Sequence, residues 1–73
     1  MTQDVAHDPV GAWNATHLPG ARVRYWPGWR PEGRVLEGIT IGPAFLMGGT
    51  PVVPVRSTGR ASDCIALTHV ELM

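Results

Sequence analysis

The sequence predicts an all-β fold: a small barrel of five short strands, with a single 3-10 turn before the last strand and a flexible N-terminal arm. Three observations carry this. From Ala21 onward the chain is a series of short runs rich in β-branched residues, the first of them strictly alternating. Glycine and proline, nine and seven of 73 residues, fall between those runs and break them. Before Pro19–Gly20, "MTQDVAHDPVGAWNATHL" has neither a helical nor a strand period. The boundary therefore falls there, with an arm over residues 1–19 and a barrel over 20–73. Trp13 is the one large aromatic in the arm and the natural residue to dock its second half on the domain.

The first strand is "ARVRYW", in which Ala21, Val23 and Tyr25 alternate with Arg22, Arg24 and Trp26. This is the pattern of a half-buried strand with arginines on its wet face. "PGWRPEG" has two prolines and two glycines and must be a loop. In "RVLEGITIG", Val35, Ile39 and Ile41 share one parity with Glu37, and a bulge at Gly38 would reset the register around that charge. "AFLM" is the third run, and "GGT" turns it tightly into "PVVPVR". Pro54 cannot donate to a ladder, so this fourth strand is expected to be exposed on at least one side. "STGRASD" is a loop, "CIAL" a fifth strand, and "THV" a single turn before the closing "VELM".

Composition limits the function. A chain this short has a marginal core. Its single cysteine, Cys64, excludes an internal disulfide, and no Cys/His cluster points to a metal site. Self-association is the remaining usual support for so small a domain. Six arginines balance six acidic residues and there is no lysine, a usage that fits a high-GC genome. No net field attracts nucleic acid or a membrane surface. No apolar run approaches a membrane span and no signal peptide is evident, so a cytoplasmic location is expected. The "NAT" at 14–16 fits a glycosylation sequon by chance.

The closing segment "IALTHVELM", residues 65–73, resembles the end of SH3 domains, where an aromatic–proline run meets a 3-10 turn and then a Val–Glu strand. On that resemblance Ala66 stands where the groove proline falls and His69 where the groove tyrosine falls. The acidic loop that reads arginine in proline-rich ligands is absent, since "PGWRPEG" offers only Glu32. The resemblance therefore implies the barrel rather than proline-motif binding. "GARVRYWPGWRPEGRVLEG" and "ALTHVEL" are also similar to the opening and closing parts of the small plasmid-borne, trimethoprim-resistant type B dihydrofolate reductases. Those are SH3-like barrels that assemble as tetramers around one pore. Their Val-Gln-Ile-Tyr pore segment falls on Ser62, Asp63, Cys64 and Ile65, so neither its glutamine nor its tyrosine is present. What carries over is the architecture and the oligomer, not an NADPH-dependent activity.

Asp63, Cys64 and His69 are the residue types of a thiol hydrolase. A simpler reading makes Cys64 a small buried hydrophobe, Asp63 a loop residue satisfying backbone amides, and His69 a partly exposed structural residue. His7 and His17 are read as solvated, and Gly48–Gly49 is not a phosphate loop because no helix or Lys-Ser/Thr follows. Tyr25 is expected in the core. Arg22, Arg24 and Arg30 can stack on the indoles or pair with Glu32 and Glu37. Trp26 and Trp29, together with Arg24, Arg30 and His69, have the composition of an interaction hot spot. The expected function is thus a non-enzymatic protein-interaction module, homo-oligomeric, without cofactor or metal. A compact accessory protein of a phage or other mobile element suits this description. The alternatives are a nucleic-acid-binding barrel using arginine and tryptophan, against which zero net charge and the missing lysines count, and a diverged protein of the type B dihydrofolate-reductase kind.

Overall fold

The computed structural model describes residues 8–28 and 33–73. The first described element is a helix, α1 (Pro9–Thr16), inside the segment expected to be an aperiodic arm. It is specified by its start rather than by amphipathicity. The Asp8 carboxylate caps it by accepting from the Gly11 N–H at 3.0 Å, and Pro9 supplies a preset φ at the first helical position. No residue of α1 is fully buried, which is why no apolar stripe marks it in the sequence. Val10 and Trp13 nevertheless pack on the barrel core, so Trp13 docks the helix as expected. Residues 1–7 lie outside the described residues.

Six strand segments follow: β1 (Arg22–Tyr25), β2 (Leu36–Thr40), β3 (Phe45–Met47), β4 (Thr50–Arg56), β5 (Asp63–Ala66) and β6 (Val70–Leu72). A 3-10 turn, Leu67–His69, separates the last two. All pairings are antiparallel, in the order β3-β4-β2-β1-β6, with β5 on the far side of β4. The sheet curls into a half-barrel, compatible with a small SH3-like barrel. The difference between five strands and six lies in β2 and β3. Both run along the same side of β4, but the register slips between Ile39↔Arg56 and Phe45↔Val52, so that β2 spends two more residues than β4 over the interval. Together β2 and β3 form one long strand broken by a bulge at residues 41–44.

That bulge explains the prolines of β4. The Pro54 carbonyl accepts from Ile41 N–H at 3.0 Å, so the nitrogen of Pro54 also faces the bulge, where the ladder is already interrupted. Pro51 faces the β5 side just where that strand ends, beyond the Val52↔Ala66 pair. β4 is therefore the central strand, paired on both sides, and not the exposed one expected from Pro54. Each proline occupies a gap in the ladder. The Asn14 side chain fills the bulge from outside. It donates to the Ala44 carbonyl at 3.0 Å and accepts from the Ala44 N–H at 2.8 Å, as a paired strand residue would.

The core consists of Val23, Tyr25, Ala44, Val53, Val55, Ile65 and Val70, with Leu36 and Leu67 packed against it. The alternation in β1 holds as expected: Val23 and Tyr25 are buried, Arg22 and Arg24 exposed. In β2 the expected face is corrected. Val35, Glu37, Ile39 and Ile41 all face solvent, and Leu36, Gly38 and Thr40 turn inward. No bulge forms at Gly38, since the β1–β2 register runs through Val23↔Gly38 without interruption. A side chain at Gly38 would meet the Arg56 carbonyl and the Val55 Cγ1, so the glycine permits the close approach of β2 and β4. Thr40, 2% exposed, fastens the chain entering the barrel. Its Oγ1 accepts from the N–H groups of both Gly20 and Ala21 at 3.1 Å. Gly48 and Gly49, at φ 58° and 86°, make the two-residue turn between Met47 and Thr50, as the sequence predicts.

Candidate binding cleft

β1 ends at Tyr25, and the Trp26 N–H donates to the His69 carbonyl at 2.9 Å. This bond continues the β1–β6 pairing beyond Tyr25↔Val70 and ties the start of the β1–β2 loop to the 3-10 turn. Between the two lies a cleft of about 230 Å³, with Trp26, Pro27 and Gly28 on one side and Cys64, Ala66 and His69 on the other. Trp26 and His69, far apart in sequence and both expected in an interaction site, thus share one cleft. Ala66 lines it as well.

The other expected site residues are placed differently. Arg24 lies on the outward face of β1, opposite Glu37 on β2 and Glu71 on β6. Its Nε is 3.8 Å from Glu71 Oε1, with both side chains about half exposed. Such a pair contributes at most about 1 kcal/mol. Arg24 does not line the cleft. Trp29 and Arg30 lie outside the described residues, as does Glu32.

Cys64 is half-buried and open to the cleft rather than a closed-off core residue. Its position in β5 turns it away from the barrel interior, which the neighbouring Ile65 occupies. Asp63 satisfies a backbone amide as expected, its Oδ1 accepting from the Cys64 N–H at 2.9 Å. His69 Nδ1 is 2.9 Å from Thr68 Oγ1. The carboxylate and the first imidazole nitrogen are thus engaged locally, and the acid–imidazole–thiol relay of a hydrolase is not assembled by these bonds. Among the described residues no three His, Cys, Asp or Glu side chains converge as a metal site. No helix among them is long and apolar enough to cross a membrane.

A larger hollow, about 540 Å³, opens on another part of the surface and shares none of the described residues with the cleft. It lies between β2, at Gly38 and Ile39, and the turn that follows β4, with Arg56, Thr58 and Arg60 around it. The sequence marks this segment, "STGRASD", only as a loop. Its signal was the spacing of Arg56 and Arg60 across Thr58–Gly59, a turn that brings two cations to one side. No family model matches the chain, and neither a curated protein nor a solved structure matches it.

Proposed function

We propose that this chain is a small SH3-like protein-interaction module that receives a short peptide segment in the cleft between Trp26 and His69. The observation that carries this reading is the joining of Trp26, His69 and the half-buried Cys64 at the seam where the loop meets the 3-10 turn. An indole at the wall of a groove offers a large apolar surface with one polar handle, the usual anchor of a peptide contact. The cleft suits one or two side chains of a partner rather than a whole small molecule, given its volume of about 230 Å³.

A second, compatible reading is self-association, and a separate observation favours it. From Ile41 to Val55 the chain has no charged side chain. Within that stretch Ile41, Phe45, Leu46 and Met47 are exposed, and β3 is an edge strand. Edge strands are normally guarded by charge or cover. This one has neither among the described residues, which supports the homo-oligomer expected for so small a core.

The test of the cleft is selection of peptides from a random library on the immobilised protein, followed by titration. The best peptides should bind Trp26→Ser and His69→Ala at least ~30-fold more weakly, the loss typical of a truncated anchor. They should also protect Cys64 from alkylation. Peptides that bind the variants as well as the parent, with Cys64 still labelled, would remove the cleft reading.

A further inference from the structure

We infer that the hollow bordered by Arg56, Thr58 and Arg60 is a binding site for a phosphorylated small molecule of mononucleotide size. The argument begins with charge. Among the described residues the only ion pair joins Arg24 to Glu71, leaving Arg56 and Arg60 without a carboxylate partner there. Among the described residues, no acidic one lines this hollow. Glu37 lines a smaller neighbouring hollow of about 180 Å³ together with Arg22. The Glu37 backbone carbonyl accepts from Ser57 Oγ at 2.6 Å, a bond that fixes the start of the turn against β2.

The turn itself is built to hold its shape. Arg60 N–H donates to the Ser57 carbonyl at 3.1 Å, and Gly59 adopts φ 76°, the geometry of a type II turn with glycine at its third position. Arg56, at the end of β4, pairs with Ile39 in register, so the first guanidinium departs from a sheet position rather than a free loop. Two guanidiniums and the Thr58 hydroxyl offer more donors than one planar carboxylate can accept. A tetrahedral phosphate monoester, with three terminal oxygens, can use all three groups.

The opposite wall gives the size and the second contact. Ile39 is 41% exposed and lies beside Gly38, which has no side chain, so an apolar platform flanks the arginines. A volume of about 540 Å³ falls within the range of small-molecule sites and far exceeds what a phosphate ion needs. An organic group on the platform, with its phosphate on the arginines, fills the site. This site is separate from the peptide cleft, because the two share none of the described residues.

The experiment is an NMR titration of the full chain with inorganic phosphate, adenosine, adenosine 5′-monophosphate and a twelve-nucleotide single strand. Expected are saturable shifts of the Thr58, Gly59 and Arg60 amides with phosphate and with the monophosphate, the latter binding at least ~10-fold tighter. Adenosine alone should leave these amides in place. The double variant Arg56→Gln/Arg60→Gln should bind the monophosphate at least ~10-fold more weakly. Thr58→Val, at an exposed turn position, supplies a separate check should the double variant melt lower: its affinity should fall at least ~3-fold. Absence of saturable shifts, or unchanged affinity in these variants, would overturn the inference. So would a strand that binds far more tightly than the monophosphate, because the arginines would then be reading a nucleic-acid backbone.

Discussion

Thr40 illustrates how much of this fold depends on single polar atoms. Its hydroxyl oxygen takes two N–H groups from the segment that enters β1, and it does so at 2% exposure. Thr40→Val keeps the shape and removes the acceptor, leaving the Ala21 N–H without it in a water-poor position. The expected loss is about 1–3 kcal/mol, read as a lower urea midpoint at constant slope, whereas Thr40→Ser should lose distinctly less. Asn14 is the second such residue, since it alone supplies both an acceptor and a donor to Ala44. Asn14→Leu should cost about 1–3 kcal/mol by leaving two backbone groups of a 4% exposed residue unpaired. Asn14→Asp can still accept from the Ala44 N–H but turns a carboxylate oxygen toward the Ala44 carbonyl, so it should be no better. Thermal melts within 1 °C of the parent for both Asn14 variants would show that α1 does not support the barrel. Neither role was legible in the sequence, because each depends on a partner at least 19 positions away.

At the scale of elements, what could be read was what local chemistry decides. The Gly48–Gly49 turn was legible because both central residues of a two-residue hairpin turn need positive φ. It yields a prediction: Gly48→Ala and Gly49→Ala should each destabilise the protein by roughly 1 kcal/mol, with Gly48→Asn milder, as measured by calorimetric melting. β1 was legible because one of its faces is buried and the other wet. β2 was misread since Val35, Ile39 and Ile41 outnumber Glu37 on their parity, yet the inward positions went to Leu36, Gly38 and Thr40. Apolar count is a weaker guide than the position of a charge beside a glycine that must pass close to another strand. The edge status expected from Pro54 failed for a related reason, because a bulge in the neighbouring strand is invisible until pairing is known. α1 had a readable start in Asp8–Pro9, but no apolar stripe to draw attention to it. In the cleft, Trp26 and His69 were legible as residue types, and their meeting required the fold. Arg24 was assigned to the site by composition, whereas its neighbours across the sheet, Glu37 and Glu71, draw it elsewhere.

For the molecule as a whole, the balance between a small core and an apolar exterior is the main feature. Leu46 is 62% exposed at the middle of an edge strand, with Phe45 and Met47 on either side. Leu46→Glu introduces the missing guard charge at a site with little packing to lose. Light scattering should show a smaller particle than the parent at equal concentration, with a monomer-level melt no lower than about 2 °C below the parent at high dilution. An unchanged particle mass would rule this edge out as the contact between copies. The pairing of β1 with β6, Val23 against Leu72, has a further consequence in time. At ~5–20 residues per second of synthesis, β1 waits on the order of seconds for its outer neighbour to be made. The β3–β4 hairpin needs no such wait, since its turn is two residues long and its partners are adjacent. Assembly therefore starts in the middle of the chain and finishes by joining its two outermost strands. The last pairing to form, Val23 with Leu72, joins residues 49 positions apart, the widest closure in the sheet.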